Sequence, residues 1–223
     1  MRSPCTHAQE LHKNHAKSAN VQLCMREPRH LEVTARNVET RSRWCYGGPM
    51  DDGSRRVIEL LGLERHPEGG WFRETFRARA AASSGQAGAG RVASTAIYFL
   101  LTPGGWSAFH TVSSDEVWHH YDGATVEIHT IDAEGRHTSS LLGHDLEAGE
   151  RPQLVVPAGT LQAARPVPTS DETVGSALCG CTVAPGFAFD DFDMPSRASL
   201  VARYPRHEAI LKELTYPDSH DGE

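Results

Sequence analysis

The chain has no apolar run of the roughly 18 residues that a membrane-spanning helix requires, so no helical membrane span is expected. The basic residues near the N-terminus are followed by no apolar segment, which excludes a secretory leader as the reading of that end. Glu10, Glu27, Glu32 and Glu39 dilute its positive charge and argue against a transit peptide. Cysteine is scarce and odd in number: Cys5, Cys24, Cys45, Cys179 and Cys181. An odd set without a leader argues against a disulfide framework. Cys179 and Cys181 have no second pair downstream to build a zinc site and read as buried free thiols. The composition therefore predicts a soluble, cytoplasmic protein. Several catalytic patterns are also missing. There is no Ser–His–Asp order and no His-Glu-x-x-His helix. The glycine-rich stretch Gly85–Gly90 lacks the lysine and the strand-to-helix setting of a phosphate-binding loop.

Positive charge is in short supply where it would matter. Of 22 Lys and Arg, 8 lie in residues 1–49 against 4 acidic residues, a net +4. Residues 50–223 carry the remaining 14 against 25, a net −11. So acidic a segment is a poor nucleic-acid binder, because phosphate contact needs clustered Lys and Arg. Residues 1–49 show neither helical nor strand periodicity and read as a disordered or non-native extension. Met50 opens a different sequence and is a candidate functional start.

From there the apolar pattern predicts structure. Ser54–Leu61 reads as a short amphipathic helix, with Ser54 as N-cap, Val57, Leu60 and Leu61 on one face, and Gly62 at the stop. The period then changes to two. Trp71–Ala78 and Val92–Leu101 are expected strands, with Ala80–Gly90 a loop between them. Short candidates follow: Ala108–Val112, Glu116–Tyr121, Thr125–Ile131, Ser139–Leu142, Gln153–Val156, Leu161–Ala164 and Leu178–Ala184. Gly or Pro clusters separate most of them, which predicts an all-β sandwich or barrel. Pro205–Leu214 reads as a closing helix with Pro in its first turn.

The informative spacing runs from Gly104 to Gly123: Gly104, five residues, His110, Thr111, Val112, three residues, Glu116, six residues, Gly123. Two strands meeting at a turn would bring an inward imidazole and an inward carboxylate to one point. Downstream, Pro157-Ala158-Gly159 is followed by Thr160, Leu161 and Gln162. Strand alternation puts Glu116, Trp118 and His120 on one face and Val117, His119 and Tyr121 on the other.

This pattern resembles the two motifs of the cupin superfamily, with Val112 where the first motif has its second His and Gln162 where the second motif has its His. The expected Gly before Pro157 is displaced to Gly149, and Pro166 stands in place of the trailing Asn. The segments 66–75, 94–102, 114–119, 156–159 and 183–187 look like one cupin branch long described as a domain of unknown function, over roughly residues 55–215. The resemblance implies a double-stranded β-helix (jelly-roll barrel), a polar pocket and a homodimer; with the short helices read at either end, the domain is expected over 50–223. In that branch a His–Glu pair followed by Gln is usual. The resemblance implies no settled reaction; the candidate catalytic pair is His110 and Glu116, with Tyr98, Trp118, Arg73 and Gln162 as candidate substrate contacts. A divalent metal (Fe, Mn, Ni or Zn) would be held by His110, Glu116, Gln162 and His120, with His119, which the resemblance favours, as the alternative.

Against each of these stands a structural reading. His110 could simply be a buried histidine hydrogen-bonded to Glu116. Trp118, Tyr98 and Phe109 suit a core. Arg73 and Glu74 could pair across an interface, and Asp190, Asp191 and Asp193 suit a solvated edge. Three functions are open: acid–base isomerisation or epimerisation of a small polar, sugar-like molecule by His110 beside a carboxylate; metal-assisted chemistry at the same place; and non-catalytic binding of a small ligand.

Overall fold

The computed structural model describes residues 50–82, 90–168 and 174–218. The expected extension 1–49 and most of the loop Ala80–Gly90 lie outside the described residues.

The first helix, α1 (Asp52–Leu61), begins earlier than the apolar pattern suggested. Asp51, not Ser54, is its N-cap: the Asp51 carboxylate accepts from the Ser54 amide at 2.8 Å, the usual way to satisfy a free helical N–H. Gly62 ends it in the left-handed conformation, as expected. Among the described residues eleven strands follow: β1 (Glu64–Arg65), β2 (Trp71–Arg77), β3 (Thr95–Leu101), β4 (Ser107–Val112), β5 (Asp115–Gly123), β6 (Val126–Ile131), β7 (His137–Leu142), β8 (Gln153–Val156), β9 (Leu161–Pro166), β10 (Ala177–Ala184) and β11 (Phe192–Asp193). The chain continues through α2 (Arg197–Arg203), a 3₁₀ turn (Pro205–His207) and α3 (Glu208–Glu213). The single closing helix expected over Pro205–Leu214 is thus a 3₁₀ turn and a short helix. The helix α2, started by Ser196 accepting from the Ser199 amide, was not foreseen.

The strands form two antiparallel sheets. Sheet I has the order β1-β2-β3-β10-β5-β8 and sheet II the order β11-β4-β9-β6-β7. The long excursions between sequence neighbours, such as β10 between β3 and β5, are those of a jelly-roll barrel. Alternation decides what fills it. Phe99, Leu101, Trp118, Val126, Ile128, Leu142, Cys179 and Cys181 point between the sheets and form the main core. Both cysteines are free and buried. On the outer side of β3, Leu100 is buried while Ala96 and Tyr98 are only partly so. The outer face of sheet II carries Phe109, Ile131, Leu161 and Ala163, and Leu200, Leu211 and Leu214 of the C-terminal helical segment cover it. Fully burying one such leucine contributes roughly 1.5–3 kcal/mol. No helix among the described residues is long and apolar enough to cross a membrane.

Candidate functional site

A cavity of about 100 Å³ opens at one end of the barrel. Its lining includes Phe72, Glu74 and Arg77 of β2, Thr95 and Ile97 of β3, His110 and Val112 of β4, Glu116 of β5, and Cys181 and Val183 of β10. His66, Glu68, Phe187 and Phe189 complete it from the connecting segments.

The way Glu68 enters the site follows from local sequence. After β1 the chain turns tightly at Pro67-Glu68-Gly69-Gly70: the Gly69 amide donates to the His66 carbonyl at 3.0 Å, and the His66 amide to the Gly70 carbonyl at 3.3 Å. Gly69 has φ +110, and a Cβ there would lie 2.1 Å from the Trp106 carbonyl oxygen. Only glycine allows this approach. The turn also presents the Glu68 carbonyl to the Ala108 amide at 2.7 Å, which ties it to β4 two residues from His110. The Glu68 side chain then points inward. Its Oε1 accepts from Ser107 Oγ at 2.9 Å. Its Oε2 lies 3.2 Å from His66 Nδ1 and 3.5 Å from His110 Nε2.

His110 is 2% exposed. Its Nδ1 lies 2.8 Å from the Ala108 carbonyl. A carbonyl can only accept, so Nδ1 carries the proton and Nε2 is the nitrogen turned toward Glu68 and the cavity. Across the cavity, Glu116 Oε2 accepts from Gln162 Nε2 at 2.5 Å. The Gln162 carbonyl in turn accepts from Trp118 Nε1 at 3.1 Å.

The two carboxyls are driven apart. For Glu68, burial alone would raise the pKa. The charges of His110 and His66, with hydrogen bonds from His66 and Ser107, overcome this and hold it at about 2. For Glu116, burial raises the pKa and the charge of Glu68 adds to the rise, against the opposing pull of His110, Gln162 and Cys181. The two buried carboxyls are therefore pushed in opposite directions, Glu68 toward the ionised form and Glu116 toward the protonated one. Such a split is the usual arrangement of acid and base groups in a catalytic pocket. Burial also raises the Cys181 thiol well above its ordinary range, so this sulfur is a hydrogen-bond donor rather than a nucleophile.

The expected site residues divide sharply. His110 and Glu116 line the cavity. The expected hydrogen bond between them is not formed; the carboxylate at 3.5 Å from the His110 ring is Glu68. Tyr98 lies on the outer face of sheet I, where its ring meets Tyr121 edge-on at 6.1 Å, because its neighbours Ile97 and Phe99 take the inward positions. Arg73, opposite Tyr98 in the register, donates to the Leu61 carbonyl at the end of α1 at 2.9 Å. Its neighbours Glu74 and Arg77 reach the cavity instead and pair with each other. Trp118 is 1% exposed and packs edge-on to Phe99 at 5.7 Å. Gln162 is equally buried and does not line the cavity.

The expected metal ligands do not converge. His120 does share the inward face with Glu116, as alternation required, but it sits four strand residues further on, ~13 Å along β5. Its Nε2 bonds the Ala124 carbonyl at 2.9 Å. His119 faces outward, with Nε2 3.2 Å from Thr182 Oγ1. The one metal-binding atom of Gln162, its carbonyl oxygen, is taken by Trp118. Among the described residues no group of three or more His, Cys, Asp or Glu is set out to hold a metal ion. The residues present therefore do not fit the resident ion that the resemblance implied.

Reading the sequence missed Glu68, His66, Ser107 and Cys181 as parts of the site. A signal was there for the first two: a charged His-x-Glu step directly before Gly-Gly, at the entrance to a strand.

Comparison with known proteins agrees with this architecture. Residues 55–195 match the sequence profile of the family described as cupin superfamily (DUF985). An uncharacterized protein of Saccharomyces cerevisiae is 30% identical over 155 residues, covering 64% of this chain and 77% of the yeast protein. The crystal structure of a protein from Shewanella oneidensis is similar at 39% identity with a TM-score of 0.67, covering 74% of this chain and 98% of that one. A hypothetical protein from Leishmania major is similar at 33% identity and a TM-score of 0.66, covering 73% and 98%.

Proposed function

Starting from a chain that belongs to the cupin superfamily, in the family described as DUF985, we propose that it is an enzyme performing acid–base chemistry on a small polar molecule in the barrel cavity. The observation that carries this is the contact of His110 Nε2 with the Glu68 carboxylate at 3.5 Å in a cavity that Glu116 also lines, the two carboxyls being pushed in opposite directions, Glu68 down to about 2 and Glu116 upward. In this reading His110 Nε2 takes a proton from a carbon beside a carbonyl. The imidazolium so formed lies 3.5 Å from ionised Glu68, which stabilises it. Glu116, protonated, gives its proton to the carbonyl oxygen. Giving the proton on His110 to the neighbouring carbon, while Glu116 recovers a proton from the hydroxyl that becomes the new carbonyl, isomerises the substrate; epimerisation needs the original carbon reprotonated from the opposite face, by an acid other than His110. Arg77 and Glu74 form an ion pair at the cavity wall, and Phe72, Phe187 and Phe189 give an apolar wall that limits water access.

The test is deuterium wash-in. A panel of small hydroxy-ketones and hydroxy-aldehydes is incubated with the protein in D₂O and followed by proton NMR. The reading expects loss of one carbon-bound proton signal in at least one compound, abolished by His110→Ala and strongly slowed by Glu116→Gln. The alternative is a non-catalytic binding protein. Compounds that bind, shown by saturation transfer, yet exchange no carbon-bound proton on long incubation would favour it. Assembly as a homodimer is part of the proposal, and a monomer mass in sedimentation velocity at working concentration would remove it.

A further inference from the structure

A second cluster of titratable side chains lies on sheet II, away from the cavity residues. Glu127 and His129 stand two apart on β6, so they share a face. His137 opens the paired strand β7, where the register sets Ile131 against His137 and Ser139 against His129. The two histidines are thus diagonal cross-strand neighbours. His129 is 3% exposed. The two rings stack with centroids 5.3 Å apart and 14° between their planes, and His129 Nδ1 lies 3.1 Å from His137 Nε2.

From this geometry we infer a binding site for a transition-metal ion that prefers imidazole, such as Cu²⁺ or Zn²⁺, held by His129 Nδ1 and His137 Nε2. Two nitrogens at the usual metal–nitrogen distance of roughly 2.0–2.1 Å stand roughly 2.8 Å apart in a right-angled arrangement and roughly 3.3 Å apart in a tetrahedral one. The observed separation falls between these values, so the spacing of the two nitrogens suits a bent nitrogen–metal–nitrogen arrangement reached by turning the rings.

The surroundings are those of a metal-binding histidine. The other nitrogen of His129, Nε2, lies 3.2 Å from Glu127 Oε2. A carboxylate behind a ligating imidazole raises its basicity and fixes its orientation. Glu127 is itself fixed by Ser139 Oγ at 2.6 Å and by Arg165 Nε and Nη2 at 3.0 and 2.9 Å. Arg165 is a nearby cation that opposes metal binding, and its charge is balanced by Glu127 and Glu213. His207, its Nε2 engaged by the Gly135 carbonyl at 2.9 Å, is the next imidazole, with its ring centroid 5.4 Å from that of His137. No three donors converge on one point among the described residues, so water fills the remaining positions of a two-nitrogen site.

The test is isothermal titration of the full chain with ZnCl₂ and, separately, CuCl₂, beside His137→Ala and His129→Gln. Other histidines, such as His7, His12 and His15, are common to all samples, so the difference between wild type and variant isolates this site. The site predicts one equivalent of bound ion that each variant loses, at least about tenfold tighter for Cu²⁺ than for Zn²⁺ and absent for Mg²⁺. It also predicts that Zn²⁺ raises the melting temperature of the wild type but not of His137→Ala. His137 is half-buried, so that variant reports even if His129→Gln folds poorly. Equal stoichiometry and affinity in wild type and His137→Ala would overturn the inference.

Discussion

Replacing Glu68 by Gln removes a buried carboxylate that the fold holds ionised, and its effect can be worked out in advance. In the folded chain the Glu68 carboxyl titrates at about 2, against an ordinary value of 4.5. Each pH unit of such a difference is worth ~1.4 kcal/mol. The folded state therefore gains roughly 3 kcal/mol from this group once the pH is well above the ordinary carboxyl value. A depressed carboxyl contributes stability that is present above its unfolded value and is lost as pH falls through its folded value. Between about pH 6 and pH 3 the wild type should lose roughly 2 kcal/mol of this contribution, the rest disappearing nearer pH 2. The amide that Glu68→Gln introduces cannot titrate and loses nothing there. The assay is urea unfolding at half-unit steps over that range, followed by tryptophan fluorescence, on wild type and Glu68→Gln. The gap in stability between the two should shrink by about 2 kcal/mol from one end to the other. If the two curves run parallel, the histidines do not hold Glu68 ionised, and the acid–base assignment built on the split loses its support.

Three further outcomes follow from the same contacts. Gln162→Leu leaves Trp118 Nε1 and Glu116 Oε2 without their buried partners and should destabilise by roughly 2–4 kcal/mol in chemical denaturation. Glu116→Gln should act in the opposite sense to Glu68→Gln. Burial holds Glu116 above 4.5, so the wild type loses stability as pH rises past that value while the variant does not. Thermal melts should show the variant gaining on the wild type from about pH 4 to pH 7. Gly69→Ala places a Cβ against the Trp106 carbonyl at a position of positive φ, and should cost more than about 3 kcal/mol or prevent recovery of folded protein, read by circular dichroism.

Much of the barrel was legible because alternation is a local signal. Each interior strand from β2 to β10 lies within a few residues of its expected bounds, since each carries apolar residues at period two between Gly or Pro turns. Elements set by capping or by distant contacts were not. Asp51 caps α1 because its carboxylate reaches the Ser54 amide, whereas the pattern alone favoured Ser54 as the first polar residue before the apolar face. Strands β1 and β11 are two residues each and exist only through pairing with β2 and β4, so no period could reveal them. Within the site, His110 and Glu116 were found by spacing. Alternation also turned His120 inward, but says nothing of how far along the strand it sits. Tyr98 and Arg73 were misplaced because identity suggested contact while parity puts both on the outer side of sheet I.

The role of Gln162 shows why the motif residues alone misdirect. A histidine at that place on β9 would offer a ring nitrogen to an ion. The amide instead has an acceptor at one end and donors at the other, and both ends are used: the oxygen by Trp118 and the nitrogen by Glu116. Trp118 is fully buried and rigid in the core, so it orients the amide, and the amide orients the carboxyl. Glu116 hydrogen-bonds neutral partners, the Gln162 amide and the Cys181 thiol, and feels the charges of His110 and Glu68 with opposite sign, while Glu68 sits between two imidazoles and a hydroxyl. The same side-chain type in one cavity is pushed in opposite directions by these different neighbours. The histidine that the cupin pattern would place at position 162 would replace that neutral donor with a group able to carry charge beside Glu116, and the difference between the two carboxyls would narrow. The Gln is thus a physical requirement of the acid–base reading rather than the loss of a metal site.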